Sequence, residues 1–258
     1  LASPVKAKKH LGQHFLVDLN IAQKIVNAMP QDDFAILEIG PGTGVLTQYL
    51  IEKENFTAFD IDKESIDFLK EKYPQHAHKI HFQDFLEADL TPFAAKGNFK
   101  VIGNFPYNIS TQIMFRVLEH RTDVSALVGM FQKEVAVRIA EKPGSKAYGI
   151  LSVLLQAFYK IEYLFTVSEH VFNPPPKVKS AVIRLTRNTT DTLNCNEDLF
   201  FKVVKASFNQ RRKTVRNSVK VLSGNAVVES LYLDKRAEQL SVAEFIELTN
   251  SIEVAIKK

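Results

Sequence analysis

The segment VIGNFPYNIST, residues 101–111, closes an apolar run with a carboxamide, two aromatic rings and a proline. A plain strand-to-helix turn uses Gly, Ser or Asp, so these side chains call for another explanation. Asn104 offers both an acceptor and a donor, and the Phe105 carbonyl adds a second acceptor. Pro106 fixes its own φ and has no N–H, which keeps the turn stiff, while Tyr107 presents a flat ring. Together they suit a planar base with an exocyclic amine: the base stacks on Tyr107, and its amine hydrogens go to the Asn104 side chain and the Phe105 carbonyl. An aromatic-rich structural turn would use the same four residues, so the surroundings must decide between the two readings.

Upstream, ILEIGPGTGVLT places Glu38, Gly40, Gly42 and Gly44 at a strand-to-helix turn. Glycines there let the backbone approach a ligand and adopt positive φ. Asp60 ends the next apolar run, where a carboxylate can accept hydrogen bonds from two ribose hydroxyls. A dinucleotide site would share these features, but two details point elsewhere. The spacing is G-x-G-x-G, with Val45 where the third small residue of a dinucleotide fingerprint would fall. Glu38, Asp60 and Asp84 also lie at or near strand ends around one crevice; three carboxylates would repel a pyrophosphate but suit a sulfonium and an ammonium. The ligand with that chemistry is S-adenosylmethionine.

With a methyl donor beside it, the Asn-Phe-Pro-Tyr turn acquires a reaction. An adenine amine is a poor nucleophile because its lone pair is delocalised into the ring. Two acceptors out of the ring plane favour a pyramidal nitrogen and stabilise the positive charge that develops on it. In-line attack then follows from positioning, without a strong base, since the amine becomes acidic once methylated.

Alternating signals supply the elements that must hold these residues. Residues 34–39, 56–60, 79–83, 100–104 and 124–132 read as strands. Helical spacing appears in the segment after Gly44, in a charged stretch through Lys72, and at roughly 109–120 and 132–141. YKIEYLFTV and VKSAVIRLTR read as later, antiparallel strands flanking FNPPPK, and NTTDTLNCNED as a linker. Beyond it the pattern is helical: Ser241 and Glu244 form a capping box with Leu240 and Phe245 as its staple, and Phe200, Val203 and Val204 read as core. The expected architecture is α/β: a Rossmann-like methyltransferase domain over 1–187 and a small all-α C-terminal domain over 188–258.

The chain has 258 residues and a net charge of +4, unevenly spread. Residues 31–92 hold 13 Asp/Glu against 5 Lys/Arg, a balance of −8, so the remainder carries +12. Residues 199–220 contain seven Lys/Arg and no acid, including Arg211, Arg212, Lys213 and Arg216. Lys177 and Lys179 lie in a second acid-free stretch. Such clusters suit a polyanion through phosphate contacts that position without reading sequence, although a solvated helix face has the same composition. The most apolar stretch, AYGILSVLLQAFY, is interrupted by Ser152 and Gln156 and reads as a core helix rather than a membrane span. No signal-peptide pattern is visible and the lone Cys195 has no partner, which leads us to expect a cytoplasmic protein without membrane contact. The chain opens on Leu1-Ala2-Ser3 without Met, suggesting residues added ahead of the natural start. His76, His78 and His81 cluster, but no Cys or patterned acid completes a set of ligands, and no metal is expected.

KHLGQHFL, EIGPGTG, FDID, QDFLEAD, GNFPYNIST, FQKEVAVRI, YGILSVLLQ, VFNPPPKVKSAVIRL and SFNQRRKTVRN occur in this order over nearly the whole chain. In these motifs the sequence resembles the ribosomal RNA adenine dimethyltransferases, in the branch that acts on the bacterial small subunit. The resemblance implies S-adenosylmethionine-dependent dimethylation of adjacent adenines in a hairpin near the 3′ end of 16S rRNA. It also implies a role in small-subunit biogenesis, with a pre-ribosomal small subunit as partner and a monomeric enzyme. By it, His14 and Leu16 would close over the cofactor, and Gly40 would meet its methionine part. Asp60 would bind the ribose and Asp84 the adenine amine. Asn104 would touch cofactor and target, and Phe172 would stack the flipped base opposite Tyr107. Two positions depart from the family pattern: Asp60 is more often Glu, and Phe105 more often Leu. A large-subunit methylase is the nearest competing activity, against which the RRKT and RN elements of SFNQRRKTVRN stand. A DNA adenine methylase would need a target-recognition insertion, and a non-catalytic assembly factor would not need an intact glycine turn and NFPY.

Overall fold

A computed structural model describes residues 5–257, so Leu1–Ser3 lie outside the described residues. In chain order the elements are β1 (Phe15–Leu16), α1 (Leu19–Asn27), β2 (Ala35–Ile39), β3 (Phe56–Asp60), α2 (Lys63–Lys72), β4 (Ile80–Phe82), α3 (Thr91–Ala94), β5 (Phe99–Asn104), α4 (Ser110–Glu119) and β6 (Val124–Gln132). There follow α5 (Lys133–Ala140), α6 (Ile150–Gln156), β7 (Tyr159–Val167), β8 (Phe172–Asn173), β9 (Ser180–Arg187), α7 (Glu197–Asn209), α8 (Val215–Ser218), α9 (Lys220–Ser223) and α10 (Val242–Ile256).

Seven strands form one sheet in the order β4-β3-β2-β5-β6-β9-β7. The five from β4 to β6 run parallel, and β9 is antiparallel to β6, as its reading as a late antiparallel strand anticipated. Chain order reverses between β2 and β5: β3 lies on one side of β2 and β5 on the other. Beyond the carboxyl ends of parallel strands, such a reversal opens a crevice where ligands bind. The residues that end the three strands around it are Ile39, Asp60 and Asn104. At the opposite end of the sheet, the ammonium of buried Lys100 on β5 pairs with Asp32 at 2.6 Å and donates to the Pro30 and Asp32 carbonyls. A buried cation persists only with such partners.

Two local differences from the sequence reading have plain causes. The helix expected after Gly44 is a series of turns with one 3-10 turn, Thr47–Tyr49, because Gly44 sits at φ +80° and the chain turns tightly before it. GQHFL and FNPPPK contribute the two-residue strands β1 and β8, which pair antiparallel with Phe15 opposite Asn173 and Leu16 opposite Phe172. Strands of that length carry no periodic signal.

By packing, the chain divides into two units, 1–136 with 162–187 and 137–161 with 188–258. The expected break at Arg187 coincides with the end of β9, but residues 137–161, including α6, belong to the helical unit rather than to the sheet-bearing one. The physical reason is the apolar α6, in which Leu151, Val153, Leu154 and Leu155 are all buried. The helical unit is otherwise built from α7 to α10, with Phe200, Val203, Val204 and Phe245 in its core. Ser241 caps α10 in the expected box with Glu244. Among the described residues no helix is long and apolar enough to cross a membrane.

Candidate active site

The crevice is lined by seven of the expected residues: His14, Gly40, Asp60, Asp84, Asn104, Phe105 and Tyr107. Its floor is the glycine turn. Gly42 has φ +55°, and a Cβ there would lie 2.8 Å from the Phe15 ring, so both conformation and space exclude a side chain. The Gly42 N–H donates to Asp60 at 3.2 Å, and the Asp62 N–H holds the other carboxylate oxygen at 2.9 Å. Each oxygen keeps a lone pair for a hydroxyl donor. Burial pushes the Asp60 carboxyl up to about 6 against these two backbone bonds, which favour the ionised form. Asp84 accepts from the Leu86 N–H at 2.8 Å through one oxygen, and Ile61 adds exposed apolar surface to the crevice. Paired acceptors, a side-chain-free turn and an apolar wall fit an adenosyl group.

Glu38 requires a correction. It is 1% exposed, accepts from the Thr47 hydroxyl at 2.8 Å, and is pushed up to about 8, by burial first. A carboxyl in that state is largely protonated at neutral pH. The negative character of the crevice therefore rests on Asp60 and Asp84, not on three carboxylates.

In the Asn-Phe-Pro-Tyr turn, the Asn104 amide donates to the His14 carbonyl at 2.8 Å. A carbonyl only accepts, so this bond fixes the carboxamide orientation and leaves Oδ1 as an acceptor. The Phe105 N–H is taken by the Met130 carbonyl at 3.2 Å, while the Phe105 carbonyl has no partner among the described residues. The Phe105 ring is buried beside Phe131, ring centroids 5.0 Å apart. It fills a groove made by two glycines: a Cβ on Gly103 would lie 2.7 Å from that ring, and one on Gly129 only 2.0 Å. The aromatic at position 105 is thus a seat for the turn. Tyr107 is held at its tip, where its hydroxyl lies 2.6 Å from Ser180 Oγ.

Residues 8–14 form a strap tied to the site at three places. Gln13 donates to Asp62 at 2.9 Å beside a short Lys8–Asp62 ion pair; the His14 carbonyl binds Asn104; and Asn108 donates to the His10 carbonyl at 3.3 Å. Burial raises the Asp62 carboxyl, but the hydrogen bonds from Gln13, Lys8 and Ser65 together bring it below its ordinary value. Asp62, Gln13, Ser180 and Gly129 all escaped the sequence reading. The second acid of FDID was a visible signal for Asp62; nothing local marks the others.

Other expected residues lie elsewhere. Leu16 is buried on β1, beside the Gly40–Gly42 turn rather than over the main crevice. Phe172, expected opposite Tyr107, is 4% exposed and packs in the core with Leu16, Val167 and Val182. Its strand pairing with β1 turns the ring inward. Lys177 and Lys179 are exposed in the sheet-bearing unit. In the helical unit Arg212 and Lys213 are exposed without an ion-pair partner among the described residues, whereas Arg211 and Arg216 are engaged. Arg211 donates to the Lys146 and Tyr148 carbonyls, and Arg216 pairs with Asp234. No group of three or more His, Cys, Asp or Glu among the described residues is placed to hold a metal ion.

A family model described as ribosomal RNA adenine dimethylase matches residues 5–254. A protein of Cytophaga hutchinsonii named ribosomal RNA small subunit methyltransferase A is 58% identical over 253 residues, covering 96% of this chain and 98% of its own length. One of the same name from Bacteroides thetaiotaomicron is 55% identical over 257 residues, covering 98% and 96%. A dimethyladenosine transferase from Plasmodium falciparum, solved by crystallography, superposes with a TM-score of 0.75 at 24% identity over 94% of this chain and 98% of its own, a likeness of fold.

Proposed function

Because the chain belongs to the ribosomal RNA adenine dimethylase family, we propose that its crevice transfers two methyl groups to the exocyclic amine of adenines in small-subunit ribosomal RNA. S-adenosylmethionine is the methyl donor, and when bound it supplies an electrophilic methyl on a sulfonium. Asp60 accepts the ribose hydroxyls, Asp84 the adenine amine, and the Gly40 turn leaves room for the methionine part. Asn104 Oδ1 and the Phe105 carbonyl accept the hydrogens of the target amine. As positive charge develops on that nitrogen, both acceptors bind it more strongly than in the ground state, which lowers the barrier. The observation that carries this reading is the Asn104–His14 bond, which engages the amide nitrogen and leaves two adjacent acceptors on residues that line one crevice.

The finer reading follows the resemblance of the sequence motifs. The substrate is a pair of adjacent adenines in a hairpin near the 3′ end of 16S rRNA, met within a pre-ribosomal small subunit in the cytoplasm by a monomeric enzyme. The sheet-bearing unit does the chemistry. Exposed Lys177 and Lys179 on it, and Arg212 and Lys213 on the helical unit, contact phosphates. The test is to incubate protein and labelled S-adenosylmethionine with small subunits lacking the modification and map the labelled nucleosides. Dimethyladenosine at adjacent positions is expected, and Asn104→Ala should abolish it while the fold persists. Label in another base, or near-normal turnover by that variant, would overturn the assignment.

A further inference from the structure

Asp84 does not sit on a strand. β4 ends at Phe82, and residues 84–90 run as an irregular loop to α3, so the backbone around this acceptor has no sheet ladder to hold it. The Gln83 N–H donates to the Asp60 carbonyl at 2.9 Å, which fixes the loop where it leaves the strand. Inside the loop, the Asp84 carboxylate takes the Leu86 N–H at 2.8 Å, and Phe85, Ala88 and Leu90 are buried. The far side of the loop is held from a distant part of the chain. Arg116 Nη2 donates to the Ala88 carbonyl at 2.8 Å, while Nη1 is kept in place by Glu119 at 3.1 Å. Arg116 Nε is buried and has no partner among the described residues, so the side chain is anchored through its two terminal nitrogens. Hydrogen bonds from Thr91 first, and then the charge of Arg116, keep the Asp89 carboxyl below its usual value, so the cation lies beside the loop at two successive residues.

Arg116 belongs to α4, the helix that starts soon after the Asn-Phe-Pro-Tyr turn. Ser110, its first residue, donates to the Tyr107 carbonyl at 3.2 Å, and Ile113, Met114, Val117 and Leu118 bury one face of the helix. From Ser110 to Arg116 the axis advances about 9 Å, a fixed length in a hydrogen-bonded helix. One rigid element thus follows the turn that carries Asn104 and, further along, grips the loop that carries Asp84. We infer that Arg116 is a positioning residue for the cofactor: through Ala88 it sets where the Asp84 carboxylate stands relative to the turn. The inference rests on the reading of Asp84 as the acceptor of the cofactor's adenine amine. An arginine that only satisfies a buried carbonyl would steady the fold and leave recognition of that amine alone, so the two roles differ in what they do to binding.

The experiment measures, by calorimetry, the affinity for S-adenosylhomocysteine and for its analogue without the purine amine. The proteins compared are wild type, Arg116→Met, Arg116→Lys and Asp84→Ala. Methionine keeps the apolar stem of the arginine and removes its donors. Wild type should prefer the amine by roughly tenfold or more, the scale of a hydrogen bond to a charged acceptor. In Asp84→Ala that preference should vanish. Arg116→Met should reduce it by roughly three- to tenfold, weakening the amine-bearing compound and sparing the other. Combined with Asp84→Ala, the same substitution should change S-adenosylhomocysteine affinity by less than about twofold, because the group it positions is gone. Arg116→Lys keeps one donor and should fall between. A wild-type preference in Arg116→Met overturns the inference, and so does a loss shared equally by both compounds, which marks a purely structural arginine. If thermal melts show that Arg116→Met does not fold, a wild-type preference in Arg116→Lys overturns it instead. A wild type indifferent to the amine would end the reading of Asp84 itself, and this inference with it.

Discussion

Glu38 and Asp60 sit on neighbouring strands, yet their surroundings give them different protonation states. Glu38 has one hydroxyl partner and full burial, which push it up to about 8; Asp60 has two backbone N–H donors and reaches only about 6. An ionised carboxylate at 60 suits hydroxyl donors, while a protonated one at 38 braces Thr47 beneath the turn. Glu38 is bound to its proton more tightly folded than unfolded. Its contribution is therefore full below the ordinary carboxylate range and is lost as the pH rises through that range to about 8. Glu38→Gln keeps an acceptor for Thr47 and removes the ionisation. The melting temperature of this variant relative to wild type should improve steadily from about pH 5 to about pH 8, read by calorimetry. A difference that does not move with pH would mean that Glu38 is ionised in the fold. The sequence marked both acids through their spacing from the glycines, but burial decides which one carries charge, and burial is a property of the packed sheet.

Among the elements, the Asn-Phe-Pro-Tyr turn depends on β5 and β6 more than its own residues suggest. Gly103 and Gly129 face each other across these strands, and the Phe105 ring lies in the groove they leave. Gly129→Ala would place a Cβ 2.0 Å from that ring, too close for any adjustment except movement of the turn. Overpacking of this kind costs about 1–3 kcal/mol. Gly129→Ala should therefore lower the melting temperature and reduce kcat by displacing Asn104. Adding Phe105→Leu, a smaller side chain, should recover part of both. If the double variant is no better than the single one, the groove does not seat the turn. The parallel strands were legible because each is an apolar run bounded by turn residues. The groove was not, because a glycine in a strand says nothing about which ring lies over it. Nor were β1 and β8, whose pairing brings His14 and Pro174 together, since two residues give no period. Nothing in the sequence marks Lys100 as buried; its partners from the 30–32 loop make that burial possible.

At the scale of the whole molecule, packing refines what the uneven charge of the sequence suggests. The break near Arg187 was visible as a polar stretch, whereas the assignment of 137–161 to the helical unit depends on packing between segments far apart in the chain. Packing also sorts the basic cluster. Arg211 donates to two carbonyls and lies 5.9 Å over the Phe208 ring, and Arg216 is paired with Asp234, so both are partly spent within the unit. Arg212 and Lys213 are exposed without an ion-pair partner among the described residues, which leaves them available for phosphates. Each phosphate neutralised releases condensed counterions, and every cation removed from such a pairing makes the slope of log affinity against log salt shallower by about 0.7–0.9. Replacing Arg212 and Lys213 together by Ala should then weaken RNA binding and make that slope shallower by roughly 1.4–1.8, while S-adenosylmethionine affinity stays the same. Arg211→Ala should instead lower the melting temperature, because it strips two carbonyls of their donor, and should change the slope less than the pair does. The measurements are RNA affinity at several salt concentrations, cofactor titration and thermal melts. An unchanged slope in the double variant would mean that these side chains only solvate the end of α7, and the grip on the RNA would have to come from other cations such as Lys177 and Lys179.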